Sequence, residues 1–177
     1  IMKHVFIRNL PAMIVTAVML MPLSLLADQK GENVTFAITS PAFRNMGTIP
    51  AVHTCEGRNI SPPLAWKNIP KETKSLVLIV DDPDAPDPGA PKFTWVHWVL
   101  YNIPPSATGL EEGAGNRPAG KGILEGLSSW NRSGYGGPCP PIGTHRYFHK
   151  LYALDTVLED LLSPVKADIE SAMQGHI

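Results

Sequence analysis

The sequence predicts a mainly β protein that is rich in loops. Its 177 residues include eighteen prolines and fifteen glycines, and the proline share is about twice the usual ~5 %. Because both residue types interrupt helices, we expect no long helix over most of the chain. Short apolar runs at 75–80, 93–103 and 144–155 are the main strand candidates. The length fits one domain with a sizeable core.

A cationic and then apolar N-terminus predicts a secretory signal peptide over residues 1–27. Lys3 and Arg8 precede an apolar run over 12–26, which ends beside a small residue that suits cleavage. A membrane anchor is the alternative, but ~15 apolar residues are short for a span that needs about 20. We therefore expect a periplasmic or secreted protein, with one mature domain over 28–177 and no transmembrane segment in it.

Short strands and proline-rich loops alternate in the first half of that domain. Weak alternation predicts a strand at 34–38, and 49–66 is predicted to be an ordered loop with short strands. Residues 75–80 are typical of a fully buried strand. The prolines that follow cannot continue a sheet ladder, so Asp82 and Asp84 should lie at the mouth of this strand.

The longest strand candidate, residues 93–103, is apolar on both faces and should therefore be an interior strand. Simple alternation divides it into two faces, Trp95, His97, Val99 and Tyr101 on one, and Val96, Trp98, Leu100 and Asn102 on the other. The stretch 113–137 holds eight glycines. It is either a long functional loop or a partly mobile one.

Another strand and one helix complete the predicted fold. Residues 144–155 alternate so that His145, Tyr147 and His149 share one side. Ser163 and the proline after it are typical of an N-cap and first helical position, so an amphipathic helix should run from there to the end.

The two cysteines and the net charge limit which covalent bonds, metals and partners the sequence predicts. Cys55 and Cys139 lie in the part expected to be exported, and an even pair in an oxidising compartment is a disulfide candidate. Two separate buried thiols are the alternative. Neither cysteine has another Cys or a His at zinc-finger spacing. A net charge of −1 without any basic run argues against nucleic acid as a partner.

Histidines and carboxylates beside strand ends suit a small binding site. His97 lies in an apolar strand and needs a polar partner, since an unmet buried polar group costs ~1–3 kcal/mol. Asp82 is one candidate partner and would favour the imidazolium form; a backbone carbonyl is the other. The segment 136–143 either brings backbone amides to a ligand or is an irregular turn.

We expect no enzymatic activity, metal or cofactor. The motifs of serine hydrolases, zinc proteases and kinases are absent. His145 and His149 would be ~13 Å apart on a strand, too far to share an ion. A weak hydrolase that uses Asp82 and His97 as acid and base is a further alternative.

Four ordered motifs together resemble the phosphatidylethanolamine-binding protein family, and especially its bacterial, Raf-kinase-inhibitor-like branch. They are NISPPLAW at 59–66, DPDAP at 82–86, WVHW at 95–98 and GPCPPIGTHRY at 137–147. The resemblance implies a mainly β fold in which a large central sheet faces a smaller sheet, with a C-terminal helix.

The resemblance also implies the residues of a small pocket for phosphate-like anions. Carried over position by position, its lining is Asp82, Trp95, His97, Pro138, His145 and Tyr147. Asp84 and Arg146 match the motifs as well, and alternation turns Arg146 away from His145. We therefore expect them to form an ion pair behind the pocket. Family members continue through a short terminal segment near the pocket mouth, whereas this sequence ends at Ile177.

The residues and the resemblance together predict an exported binding protein for a small anion or a phospholipid head group, such as phosphate or phosphoethanolamine. The alternative is a protein-interaction module, for example an inhibitor of a protease or kinase, that uses the pocket rim and the glycine-rich loop.

Overall fold

Two antiparallel sheets form the fold in the computed structural model, which describes residues 35–177. The strands are β1 Ala37–Thr39, β2 Leu64–Lys67, β3 Ser75–Asp82, β4 Trp95–Ile103, β5 Gly109–Leu110, β6 Leu124–Glu125 and β7 Phe148–Leu154, and helix α1 is Lys166–Ala172. The smaller sheet has the order β1-β2-β5, and the larger has the order β6-β4-β3-β7. The predicted mainly β class is confirmed, while the predicted signal peptide lies outside the described residues.

Strand β3 is the centre of the larger sheet. It pairs with β4 on one side and β7 on the other, and every one of its residues is buried. A strand covered on both faces must be apolar on both, which explains the unbroken apolar run that the sequence shows there. Strand β4 is also interior, because the short β6 pairs with its other edge.

Alternate residues of β3 belong to two separate cores. One core lies between the sheets and contains Leu76, Leu78 and Val80 together with Trp66 of the smaller sheet. The other contains Val77 and Ile79 of β3 and, from α1, Ile169. The larger sheet is therefore the middle layer, with the smaller sheet on one face and the helix on the other.

Strand β4 does not follow the simple alternation expected from the sequence. Its pairing with β3 steps from Val80–Trp98 to Asp81–Val96, so that His97 is an extra residue. Such a bulge moves the residues before it to the opposite face. Val96 accordingly packs in the same core as Val99 and not with Trp98.

Strand β7 begins later than the predicted 144–155. Its first residue is Phe148, because the backbone N–H of Arg146 donates to Asp84 Oδ2 at 2.8 Å and is not available to a ladder. The segment around His145 is thus a loop beside a strand end, which leaves its side chains free to face the end of β3.

Helix α1 also begins later than predicted and ends before the chain does. Leu162 and Ser163 have positive φ angles, 53° and 65°, so this segment is a turn and not a helix start. Val165 is the N-cap, and its N–H donates to Asp168 Oδ2 at 2.9 Å. Among residues 35–177, no helix is long and apolar enough to cross a membrane.

Candidate functional site at the strand ends

Three chain segments meet at one end of the larger sheet. The antiparallel register places Asp82, the last residue of β3, opposite Trp95, the first residue of β4. On the other edge, Asp81 pairs with Phe148, the first residue of β7. Antiparallel pairing thus explains why a strand end and two strand beginnings from distant parts of the sequence converge.

Asp82 and His145 form a buried pair within this cluster. Asp82 Oδ2 lies 2.7 Å from His145 Nδ1, and the two residues are only 4 % and 6 % exposed. Asp82 Oδ1 also accepts the backbone N–H of Asp84 at 2.8 Å, in the manner of an Asx turn. His145 Nε2 lies 3.1 Å from the carbonyl of Ile142. Both ring nitrogens therefore face oxygen acceptors.

His97 bonds a backbone carbonyl, which is one of the two partners that the sequence left open. Its Nδ1 lies 2.6 Å from Gly136 O, and the N–H of Gly136 donates to His97 O at 3.0 Å. Asp82 is engaged by His145 instead. Burial lowers the pKa of His97, against the carbonyl of Gly136 and the charges of Asp82 and Asp81, which raise it. The ring is therefore neutral at pH 7, and its Nε2 is a buried atom without a hydrogen-bond partner.

Tyr147 and His149 supply two more polar atoms that are buried and have no hydrogen-bond partner, the Tyr147 hydroxyl and His149 Nε2. The ring of Tyr147 meets that of His97 edge to face, with centroids 5.2 Å apart. Burial raises the pKa of Tyr147, so its hydroxyl keeps its proton. Burial lowers the pKa of His149 to about 4, so this ring is neutral as well.

Trp130 is a site residue that the sequence analysis did not single out. Its ring lies 5.2 Å from that of His97 and 5.4 Å from that of Trp95, both edge to face. A side chain on Gly136 would collide with it, since a Cβ there would lie 2.3 Å from the Trp130 ring. Trp130 is 40 % exposed, so it forms the outer cover of His97. A lone tryptophan in the polar run 128–133 is the signal that could have identified it.

A disulfide holds the loop that carries Gly136. Cys55 and Cys139 are bonded, with Cα atoms 5.4 Å apart, so the alternative of two free thiols does not apply. The N–H of Cys55 donates to the carbonyl of buried Pro138 at 3.0 Å. Asn59 Oδ1 accepts the N–H of Gly137 at 2.7 Å. These bonds join the 55–59 loop to the segment on which His97 depends.

Asp84 and Arg146 form the ion pair that the motifs imply. Arg146 Nε and Nη2 donate to Asp84 Oδ2 and Oδ1 at 2.9 Å and 2.6 Å, a two-pronged contact. The bonds from Arg146 outweigh burial and hold the pKa of Asp84 down at about 2. This contact uses two of the five guanidinium N–H groups, and the Arg146 side chain remains 63 % exposed.

Two cavities lie outside this cluster. One cavity of about 270 Å³ lies beside α1 and is lined by Val96, Lys166 and Glu170, among others. Another, of about 330 Å³, lies near Leu110 and Ile123. Over 35–177, no group of three His, Cys, Asp or Glu side chains is placed to hold a metal ion.

The two facing sheets, the C-terminal helix and the strand-end cluster define a class of β proteins that carry a small site at the end of the large sheet. The sequence profile of the family described as phosphatidylethanolamine-binding protein matches residues 39–177. The chain belongs to this family.

Relatives of known sequence and structure agree with this assignment. A UPF0098 protein of Methanothermobacter thermautotrophicus is 52 % identical over 139 residues, which are 77 % of this chain and 87 % of that protein. The crystal structure of a phosphatidylethanolamine-binding protein homologue from Chlamydia trachomatis has a TM-score of 0.72 at 41 % identity, covering 81 % of this chain and 91 % of its own. Escherichia coli YbcL, described as a new member of the mammalian family, has a TM-score of 0.71 at 33 % identity, covering 80 % and 90 %.

Proposed function

We propose that the protein binds a small anion or phospholipid head group, such as phosphate or phosphoethanolamine, at the strand-end cluster. The observation that carries this proposal is that His97 Nε2 and the Tyr147 hydroxyl are buried without partners, while Asp82 and His145 beside them are fully engaged. Leaving a buried polar group unpaired costs ~1–3 kcal/mol. A ligand that bonds both groups removes this cost. The description of the family supports the same choice of ligand.

Because His97 Nε2 and the Tyr147 hydroxyl are buried, part of the site must move to admit a ligand, and we propose that this part is the ring of Trp130, which lies against His97. Trp130 is 40 % exposed, and its movement would give up its edge-to-face contacts with His97 and Trp95. Aromatic walls from Trp95 and Trp130 then exclude water, which strengthens the hydrogen bonds to the ligand.

Calorimetry with phosphate and with phosphoethanolamine tests the proposal. We expect dissociation constants in the micromolar-to-millimolar range, because the site offers few bonds. Tyr147→Phe should weaken binding by about tenfold, the equivalent of one hydrogen bond to a charged group. His176→Ala, an exposed histidine paired with Asp155, is the control and should bind normally. Absence of binding by the oxidised protein would refute the proposal.

Binding without turnover is part of the proposal. Both carboxylate oxygens of Asp82 accept hydrogen bonds, from His145 and from the backbone of Asp84, so Asp82 is not free to act as the acid or base partner of His97. We expect no hydrolysis of phosphate esters. Hydrolysis that disappears in His97→Ala would instead establish the hydrolase that Asp82 and His97 suggested from sequence.

We also propose that the protein is exported to the periplasm or secreted. The Cys55–Cys139 disulfide supports this location, since such bonds persist in oxidising compartments. Intact mass and N-terminal sequencing of protein from the envelope fraction test it. Material that begins near Asp28 is expected, and retention of residues 2–27 in a membrane pellet would refute cleavage.

A protein-interaction module is the second candidate, favoured by apolar side chains that remain exposed around the cluster. Phe93, Trp130 and Ile142 are 48 %, 40 % and 55 % exposed. Phe93→Ser and Ile142→Ser should then abolish inhibition of a partner protease or kinase while head-group binding persists. If head groups bind and these variants inhibit as well as the parent protein, this candidate fails.

A further inference from the structure

We infer that the protein has a second binding site, for a small aliphatic carboxylate, in the cavity near Leu110 and Ile123. None of the residues that line this cavity belongs to the strand-end cluster, so the two sites are separate. The inference therefore goes beyond the proposed function and does not depend on it. It rests on the volume of the cavity, on its apolar side chains and on the ion pair at its rim.

The cavity lies beside the edge strands of the two sheets. Strand β5 is an edge of the smaller sheet and β6 is an edge of the larger one, and each is only two residues long. Such short strands leave part of the core between the sheets to be covered by the connection that joins them, residues 111–123. The cavity, of about 330 Å³, is lined by Leu100 of β4, Leu110 of β5, and Ala114, Arg117, Ala119 and Ile123 of that connection, among others.

The first part of the connection is held in place by Ser61, which is 0 % exposed. The carbonyl and the Oγ of Ser61 accept the N–H groups of Gly113 and Gly115, each at 2.9 Å. Its own N–H donates to Asn116 Oδ1 at 2.8 Å. The backbone is therefore fixed on both sides of Ala114, and this wall of the cavity is formed without a ligand. A preformed wall avoids the free-energy cost of ordering a loop on binding.

The lining favours a hydrocarbon chain. Leu100 is 3 % exposed and belongs to the core between the sheets, and Leu110, Ala114 and Ile123 pack against that core. A dry cavity of ~150 Å³ takes a six-carbon ring such as benzene. A cavity of about 330 Å³ therefore has room for a chain of roughly eight to ten carbons.

The charged residues of the lining select the group at the end of that chain. Arg117 Nη2 donates to Glu111 Oε2 at 2.8 Å, so the guanidinium already binds a carboxylate at the rim of the cavity. The two side chains are 58 % and 82 % exposed, and such a bond is weak because water competes for both groups. A ligand carboxylate can thus replace that of Glu111 on the planar guanidinium while its chain enters the cavity.

Straight-chain carboxylates of increasing length test whether the cavity takes the chain. Calorimetry on the oxidised wild-type protein with butanoate, hexanoate and octanoate should give affinities that rise by up to about fourfold for each added methylene. This increase is expected because each further methylene leaves water for the apolar lining. Affinities that do not depend on chain length, or no binding of octanoate, would overturn the inference.

Substitutions that fill the cavity locate the ligand. Ala114→Leu should weaken octanoate binding by at least about tenfold, because the added side chain occupies the space of the ligand. Ala119→Leu gives the same test in a part of the connection that Ser61 does not hold, should Ala114→Leu fail to fold. Ala167→Leu is the matched control, since Ala167 lines the other cavity, beside α1. Unchanged binding by the folded filling variants, or an equal loss in Ala167→Leu, would overturn the inference.

Two further variants test the ion pair, with octanol as the uncharged probe. Arg117→Gln should weaken octanoate binding by about two- to fivefold, and Glu111→Gln should strengthen it by a similar factor, because Glu111 competes for Arg117. Neither variant should change the affinity for octanol. Equal effects on octanoate and octanol, or weaker octanoate binding by Glu111→Gln, would contradict the exchange of carboxylates.

Phosphate binding by the same protein samples separates this inference from the proposed function. The filling variants should bind phosphate as the wild-type protein does, because their substitutions lie outside the strand-end cluster. If octanoate binds as described and phosphate does not bind, the proposed function fails and this inference stands. If phosphate binds and octanoate does not, only this inference fails.

Discussion

Asp82 Oδ2 lies 2.7 Å from His145 Nδ1, across 63 residues of sequence, and this contact decides the chemistry of the whole cluster. This contact uses the carboxylate of Asp82, which the sequence analysis gave as one candidate partner of His97. His97 therefore turns to the carbonyl of Gly136 and keeps a free, neutral Nε2. Two histidines from neighbouring segments thus have different roles: His145 holds the buried carboxylate of Asp82, and His97 presents an acceptor.

Breaking the Asp82–His145 pair should destabilise the fold. His145→Ala leaves a carboxylate that is 5 % exposed without its partner, and removal of one member of a buried pair typically costs about 3–5 kcal/mol. We expect a loss of ~3 kcal/mol in the free energy of unfolding in urea. Asp82→Ala combined with His145→Ala should recover part of it, because no lone charge remains. A loss below ~1 kcal/mol for His145→Ala would show that the pair contributes little.

The Asp84–Arg146 ion pair should make the protein acid-sensitive. The pKa of Asp84 is about 2 in the folded protein, below its ordinary 3.8. A depressed carboxyl pKa contributes stability that is present above about pH 4 and is lost as the pH falls from 4 to 2. Asp84→Asn should therefore lower the urea midpoint at pH 7, and its difference from the wild-type protein should shrink by pH 2. Glu72→Gln, at an exposed position, should show no such difference, and a constant difference for Asp84→Asn would contradict the linkage.

Much of the fold could be predicted because its signals are local. The apolar run before Asp82 marks β3, and the proline-rich stretch after it marks the strand end. The bulge at His97 could not be predicted, because no residue of β4 is specific for a bulge. The bulge depends on how β3 and β4 pair. The start of α1 was misplaced for a similar reason. The N–H of Leu127, 37 residues earlier, bonds to the carbonyl of Pro164 at 2.7 Å, which holds that residue outside the helix.

The residues of the site could be predicted from the motifs, but their contacts could not. The ordered motifs pointed to Asp82, His97, His145 and Tyr147 as neighbours, and the structure brings these four together. The partners of each could not be read from the motifs, since His97 had a carboxylate and a carbonyl as equal candidates. Trp130 lies outside the motifs, and its role depends on the space that Gly136 leaves for its ring.

Loss of the Cys55–Cys139 disulfide should loosen both the fold and the site. The bond closes a separation of 84 residues, for which a chain-entropy estimate is about 4–5 kcal/mol and typical measured values are 2–4 kcal/mol. We expect reduction to lower the free energy of unfolding by ~2–4 kcal/mol. The double variant Cys55→Ser/Cys139→Ser should match the reduced protein and should not respond to reductant. Two thiols titrating in native, unreduced protein would contradict the bond.

Removal of the Trp130 ring should expose His97 to solvent. The ring lies against His97 and is itself 40 % exposed, so Trp130→Ala uncovers His97 Nε2 without cutting into either core. Because this nitrogen is neutral and unpaired, it should react with diethyl pyrocarbonate once reagent can reach it. We expect modification of His97, mapped by mass spectrometry of peptides, to become several-fold faster than in the wild-type protein.

Phe148 provides a matched control for this experiment. It is 42 % exposed, almost the same as Trp130, but its ring lies beside Arg146 and Lys150 and not beside His97. Phe148→Ala should therefore leave the modification rate of His97 unchanged, and His176, which is exposed in every variant, gives the internal reference rate. Equal rates for His97 in Trp130→Ala and Phe148→Ala would show that Trp130 is not the cover of the site. Faster reaction in Trp130→Ala alone would establish the route by which a ligand reaches His97 and Tyr147.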